Sequence, residues 1–315
     1  MNKRRSFIIG LKSTSLSINE KKFLKKYQPW GVILFTRNIK SIDQTKKLTK
    51  QIRKIFKDEN YPILIDQEGG RVNRLKNFFN SELLTAEYFG KLYKTDKNKF
   101  ISYYKIFIEK TSYLLKLIGV NINTVPVLDL RVRGASKIIG DRAFSHDAKL
   151  VSKIGDFCIK NFHKNNIGTI IKHIPGHGLA KVDSHKFTPV VNTKLKDLIK
   201  NDFFTFKNKK SLFAMTAHII FNDIDPINTA THSKKINNLI RKNIKFDHIL
   251  ISDDISMKGL KYSIKENTIR AFNAGCNLVL HCNGNYKEML IVAENSPRLS
   301  KFITKKTSQF YRILS

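Results

Sequence analysis

The chain has 315 residues, 41% of them hydrophobic, and 58 lysines and arginines against 25 acidic residues give a formal net charge of +33. That hydrophobic content is ample for a large core and argues against a disordered chain, while the length suits one large α/β domain or two small ones. So basic a protein invites a nucleic-acid or membrane-surface reading. Drift toward Lys, Asn, Ile and Phe runs along the whole chain, however, as at Lys207-Asn208-Lys209-Lys210, and reads better as a solvated surface.

Strand-length apolar runs alternate with helical segments. The first run is Phe7–Leu11; it follows a charged start, but Lys12 arrives too soon for a secretory h-region, so a buried strand is expected. Ser17-Ile18-Asn19-Glu20 reads as a capping box opening a helix. Gly31–Phe35 is the second strand, followed by a Lys-rich amphipathic helix from about Asp43 to Phe56. Pro62–Ile65 is the third strand, and a long helix from about Asp96 to Leu117 ends at Gly119. Ile122–Val125 leading into Pro126–Asp129, then Thr169–Ile171, Phe213–Ala217, His248–Ile251 and Asn277–Leu280 bring the strand candidates to eight. Fully apolar strands alternating with helices predict a parallel sheet covered on both faces, and eight units predict a single (β/α)8 TIM-type barrel, an α/β fold. A doubly wound open sheet is the alternative. The barrel is favoured because Asp66-Gln67-Glu68, Asp129, Lys172-His173, His218, Ser252-Asp253-Asp254 and His281 each sit near the C-terminal end of a different strand.

No internal repeat, low-complexity linker or composition break marks a second domain, so residues 1–315 are expected to form one. No run approaches membrane-spanning length. Three cysteines, Cys158, Cys276 and Cys282, without CxxC or zinc-like spacing argue against a disulfide framework or structural metal. A cytoplasmic monomer is expected.

The densest chemistry lies in Lys172-His173-Ile174-Pro175-Gly176-His177-Gly178, followed by Asp183-Ser184-His185. His173 and His177 are four apart, but Pro175 and Gly176 forbid the helix that a zinc-type HExxH pair needs. Acid/base work is the favoured reading, with Asp183 orienting and polarising His185 near neutral pH; no metal or cofactor is expected. The glycines are expected to leave this loop mobile.

Asp66 and Arg74 suit a polyhydroxylated ligand, one as acceptor and one as donor. The Gly69-Gly70 pair beside Asp66 lacks a phosphate-cradle pattern. Arg142, in Gly140-Asp141-Arg142, joins the site only if its loop overhangs the same mouth. Asp253 and Asp254 are expected to point apart, one toward the mouth and the other into structural hydrogen bonds. A helix N-cap explains one of them but not both.

Asp66-Gln67-Glu68-Gly69-Gly70-Arg71-Val72, Lys172-His173-x-Pro-Gly-His177-Gly178, Asp183-Ser184-His185 and Ser252-Asp253-Asp254-x-Ser256-Met257 together resemble glycoside hydrolase family 3, and within it the NagZ-type β-N-acetylglucosaminidases. Gly31–Phe35-x-Arg37-Asn38 and Met215-Thr216-Ala217-His218 fit the same pattern, and the resemblance runs in order from about residue 7 to 285. It implies a catalytic barrel without the second domain of larger members. It also implies a retaining exo-β-N-acetylglucosaminidase in peptidoglycan recycling, acting on N-acetylglucosamine-containing muropeptide or chitooligosaccharide.

Under the resemblance Asp253 is the nucleophile, His185 the general acid/base assisted by Asp183, and Asp66, Arg74, Arg142, Lys172 and His173 hold the sugar. A His-Asp pair then replaces one of the two usual carboxylates. Leu179-Ala180 departs from the polar residues that many relatives carry after this glycine. Two other functions stay open: phosphorolysis at the same site, and a basic nucleic-acid-binding protein on an inactive barrel. The latter is disfavoured because the basic residues lack interleaved aromatic stacking motifs, and no nucleic-acid or membrane partner is expected.

Overall fold

The structure is a computed structural model and describes residues 3–315; Met1 and Asn2 of the charged N-terminal segment lie outside the described residues. Eight strands close into a parallel barrel: β1 (Arg5–Gly10), β2 (Pro29–Leu34), β3 (Ile63–Ile65), β4 (Ile122–Asn123), β5 (Gly168–Ile174), β6 (Phe213–Thr216), β7 (Ile249–Asp254) and β8 (Leu278–His281). Each pairs with its neighbours in sequence, and β8 returns to β1 through Phe7 opposite Val279 and Ile9 opposite His281. The predicted (β/α)8 barrel is therefore the observed fold, with all eight strand candidates in place.

Side chains alternate across the barrel wall with a period of two, as strand geometry requires. Ile8, Ile33, Leu64, Ile122, Ile170, Phe213, Met215, Ile249, Ile251, Leu278 and Leu280 form a core inside the barrel. Their neighbours Phe7, Ile9, Val32, Leu34, Ile63, Ile65, Ile171, Ala214, Leu250 and Val279 pack outward beneath the helices. The helix Lys301–Tyr311 adds Ile303 and Phe310 to the inner core, with Phe310 edge-on to Phe213 at 5.6 Å and Trp30 Nε1 donating to Thr307 Oγ1 at 2.8 Å.

Local signals explain the helix starts. Ser17 Oγ accepts the Glu20 N–H at 3.1 Å while Glu20 Oε2 accepts the Ser17 N–H at 2.8 Å, which realises the predicted capping box at Ile18–Tyr27. The helix Ile42–Phe56 starts at a Ser41 cap, and Lys97–Leu117 starts at Asp96 and ends beside Gly119 at φ +77°. A further helix, Ala86–Thr95, follows a long irregular stretch after β3 and was not anticipated.

The fourth strand is shorter than the predicted run through Asp129. Pro126 lacks the N–H that a ladder needs, so regular pairing stops at Asn123 and resumes only as a bridge between Val127 and Lys172. β5 and β7 run longer than predicted and carry Lys172, His173, Asp253 and Asp254 on strand backbone. No helix begins at Asp253 or Asp254, so neither is an N-cap.

Candidate active site

The inward rows do not stop where the apolar residues do. Phe35 continues Ile33, Asp66 continues Leu64, Thr124 continues Ile122, Lys172 continues Ile170, Asp253 continues Ile249 and Ile251, and Cys282 continues Leu278 and Leu280. All six line one cleft of about 850 Å³ at the C-terminal mouth of the barrel. Arg74, Arg142, His173, His177, Ser184, His185 and Asp254 line it too. The structure thus gathers seven of the eight named candidates on the cleft wall, and the eighth, Asp183, is bonded to His185.

At one end lies a network of opposite charges. Asp66 takes Arg74 Nη2 on Oδ2 at 2.9 Å, and Thr124 Oγ1 at 2.5 Å together with Lys172 Nζ on Oδ1. Burial alone would raise the Asp66 carboxyl, but the Lys172 ammonium and the Arg74 and Arg142 guanidiniums hold it well below the usual carboxylate range. Lys172 also reaches Glu68 Oε1 at 2.6 Å and Thr124 Oγ1 at 3.0 Å. Its three ammonium hydrogens therefore already have acceptors, and Asp66 keeps lone-pair capacity on Oδ2 for a ligand hydroxyl.

Glu68 is a residue that sequence reasoning missed. Its carboxylate is held by Arg142 in a two-pronged pair, Nε to Oε2 and Nη2 to Oε1, both at 2.8 Å. Arg142 Nη1 donates to the Ile138 carbonyl at 3.1 Å. The loop after β4 does overhang the mouth, as Arg142 required.

The histidine segment is more firmly tied than expected. Buried Asp129 accepts His173 Nδ1–H at 2.6 Å and the His177 backbone N–H at 2.7 Å. This fixes the His173 tautomer and leaves Nε2 as its other ring nitrogen. His177 is buried, which pushes its pKa down to about 4, and Nε2 lies 3.0 Å from Ser184 Oγ. Gly178 packs so tightly on Leu130 that an added methyl group would overlap the Leu130 carbonyl. Ala180 is buried, and its carbonyl accepts the Ser136 N–H at 2.8 Å. The expected mobility of the whole loop is therefore corrected: its glycines allow close backbone packing, and only 181–187 form an exposed tip, interrupted by buried Ser184.

On that tip His185 is exposed and its Nδ1 lies 2.8 Å from Asp183 Oδ1, which also accepts the His185 backbone N–H at 2.8 Å. Partial burial raises Asp183, but these two bonds and the His185 charge bring it below the ordinary value, so it is anionic at neutral pH. The bond fixes Nδ1 as donor and leaves Nε2 for proton exchange.

The two aspartates of β7 diverge as the pleat dictates. Asp254 accepts Ser256 N–H at 3.0 Å, Ser256 Oγ–H at 2.8 Å and Cys282 N–H at 3.2 Å, which fix the turn beyond the strand. Asp253 accepts a hydrogen bond from the Asp254 N–H at 2.8 Å and has no ion-pair partner among the described residues. Burial raises its carboxyl, but the facing His218 and His173 outweigh that and leave it below the ordinary value. His218 itself is buried, donates Nε2–H to the Asp254 carbonyl at 3.0 Å and meets Thr231 Oγ1 at 2.7 Å. His281 pairs with Glu288 at 2.8 Å and is fully buried, so it stands outside the site.

The fold and the site together define a barrel enzyme with an ionised carboxylate and a His-Asp pair at the mouth. The chain matches the model of the glycosyl hydrolase family 3 N terminal domain over residues 8–308. It is 32% identical over 284 residues to a beta-hexosaminidase of Bordetella parapertussis, covering 88% of this chain and 79% of that one. Among solved structures, a family 3 beta-N-acetylglucosaminidase from Paenibacillus superposes with a TM-score of 0.86 at 24% identity, over 98% of this chain and 60% of that one. NagZ from Neisseria gonorrhoeae, solved in complex with a zinc ion, superposes with a TM-score of 0.84 at 25% identity, over 98% of this chain and 90% of that one. This chain belongs to glycosyl hydrolase family 3 and is a glycosidase. Among the described residues no three His, Cys, Asp or Glu side chains group closely enough to hold a metal ion.

Proposed function

We propose that this protein is a retaining exo-β-N-acetylglucosaminidase that removes terminal N-acetylglucosamine from cell-wall turnover fragments in the cytoplasm, with its activity carried by a single barrel domain. The observation that carries this reading is the pairing of two groups on one cleft: Asp253, ionised and without a cation partner, and His185, oriented by Asp183.

In the first step the His185 imidazolium gives its Nε2 proton to the glycosidic oxygen while an Asp253 oxygen attacks the anomeric carbon. The C1–O bond to the leaving group breaks and a glycosyl ester of Asp253 forms. In the second step neutral His185 takes a proton from water, the water oxygen attacks C1, and the Asp253 carboxylate departs. Two inversions leave the anomeric configuration retained. Asp183, being anionic, stabilises the imidazolium in both directions. Asp66 accepts sugar hydroxyls while Arg74 and Arg142 supply donors, His173 offers its unprotonated Nε2 as an acceptor, and Lys172 holds Asp66 ionised and in place.

Hydrolysis of an aryl N-acetyl-β-glucosaminide by wild type and by Asp253→Ala tests the reading. It expects turnover in the former and a loss of several orders of magnitude in the latter; comparable activity in both overturns the nucleophile assignment. A neutral histidine does not repel an incoming anion, so phosphate is the competing acceptor. Added phosphate that speeds turnover and yields a sugar 1-phosphate selects phosphorolysis over hydrolysis.

A further inference from the structure

The tip that carries His185 has one buried residue, and it stands between the two working groups. From Lys181 to Phe187 every residue is exposed or half-buried except Ser184, which is 3% exposed and lies between Asp183 and His185. A tip held at one interior point moves only as that point allows. What grips Ser184 therefore decides where the His185 ring stands.

Two elements grip it. His177, just beyond β5, brings Nε2 to 3.0 Å from Ser184 Oγ, and both side chains are buried. Burial keeps the His177 ring neutral down to a pH of about 4, and its Nδ1 is buried without a partner. An N–H at Nδ1 would be stranded out of water, so the ring hydrogen sits on Nε2 and Ser184 Oγ accepts it. His177 is itself fixed, because Asp129 accepts its backbone N–H at 2.7 Å.

From the other side the loop after β7, the strand of Asp253, closes on the Ser184 backbone. A methyl group built on Gly259 would lie 2.5 Å from the Ser184 carbonyl oxygen. Gly259 does not have a positive φ, so it is this contact and not its backbone conformation that calls for glycine. Thr188 Oγ1 donates to the Gly259 carbonyl at 2.9 Å and ties the far end of the tip to the same loop.

We propose that Ser184 is the positioning residue of the acid/base, clamped between His177 and Gly259 so that His185 is held in register with the strand of the nucleophile. The proposal rests on the glycosidase reading above and adds to it the element that sets the geometry between His185 and Asp253. Asp183 fixes the tautomer of the His185 ring; Ser184 fixes where the ring stands. Ser184 and His177 act through His185 and take no part in bond breaking.

Ser184→Ala and Gly259→Ala loosen the clamp from opposite sides, one by removing the acceptor and the other by pushing the carbonyl away, and neither changes a charge. The assay is kcat/KM on phenyl and dinitrophenyl N-acetyl-β-glucosaminides. On the phenyl glycoside each variant should lose about tenfold to a hundredfold, the scale of a catalytic group misplaced by an ångström. On the dinitrophenyl glycoside, whose leaving group needs no proton, each should stay within about threefold of wild type. His177→Gln, which keeps an N–H donor, should retain most of the phenyl glycoside activity that His177→Leu loses. Joined to His185→Ala, Ser184→Ala should bring no further loss, whereas a merely structural role multiplies the two losses. Equal losses on both glycosides, or multiplied losses in the double variant, overturn the clamp.

Limited trypsin digestion provides an arm independent of turnover, because Lys181 and Lys186 are exposed on either side of Ser184. Cleavage after these two lysines should quicken about fivefold in Ser184→Ala and Gly259→Ala, the worth of one hydrogen bond to a local opening. Wild-type rates at both lysines, or an equal rise at every cleavage site in the chain, overturn the clamp. Failure of wild type to cleave either aryl glycoside would instead strike the glycosidase reading, and the digestion would still decide whether Ser184 is clamped.

Discussion

Replacing Glu68 by Gln tests whether the charge network at the cleft is a working unit. The Glu68 side chain is 7% exposed, and its partners Arg142 and Lys172 are 10% and 3% exposed, so all three charges are largely out of water. Glutamine keeps the shape and one acceptor oxygen but turns an NH2 group toward a guanidinium that can only donate. Breaking a buried pair by neutralising one partner costs about 3–5 kcal/mol. Asp66 remains as a second anion for Lys172, which places the expected loss near the lower figure, about 3 kcal/mol. For a chain of this length that is a fall in Tm of roughly 6 °C, at about 2 °C per kcal/mol. Thermal unfolding followed by circular dichroism, run on Glu68→Gln, Arg142→Met and the double variant, isolates the pairwise contribution. A coupling of about 2 kcal/mol is expected between residues in one such network. A single variant with the wild-type Tm, or a coupling near zero, would refute the reasoning and reduce Glu68 to an incidental neighbour.

Other outcomes follow from the same geometry. His185→Ala should lower kcat by about 10²–10⁴, the usual worth of a positioned acid/base, and should do so least for activated aryl leaving groups that need no proton. A leaving-group series showing one uniform loss would contradict the acid role. Asp202 is buried against Gly176 with Oδ1 unpartnered, and burial, with the Asp129 charge as a second cause, raises its pKa to about 7 from an ordinary 3.8. Between those values the folded form binds more protons than the unfolded one, so stability falls as pH rises through that window. Asp202→Asn should remove this slope and raise stability above pH 7 by about 1–3 kcal/mol, seen as a Tm gain at pH 8 that vanishes below pH 4; an unchanged Tm at pH 8 would count against the placement. Gly178→Ala should cost about 1–3 kcal/mol, because the new methyl meets the Leu130 carbonyl and the backbone must shift. A wild-type melting curve for that variant would mean the loop is as loose as its glycines suggest.

Much of the site was legible because barrel strands keep a period of two. Apolar runs located the strands, and polar residues just past them marked the mouth. Parity along the rows was the unused signal: it selects Asp253 over Asp254, and it also selects Thr124, which lies in step with Ile122. The sequence around Gly69-Gly70 gave no hint that Glu68 would serve Arg142, since the two are 74 residues apart and meet only when the loop after β4 folds over. Asp129 was noticed at a strand end, but its task of pinning His173 and His177, 44 and 48 residues further along the chain, is set only when the two strand ends come together. Loop mobility was misjudged because glycine permits both freedom and close packing, and only the neighbours decide which.

Trapping of the glycosyl-enzyme tests the central claim most directly. A slowly hydrolysed fluorinated N-acetyl-β-glucosaminyl donor, followed by proteolysis and mass spectrometry, should place one sugar on the peptide containing Ile249–Asp254, with the ester on Asp253. Turnover that proceeds with no adduct and an inverted anomeric product, or an adduct on any other residue, would contradict the account.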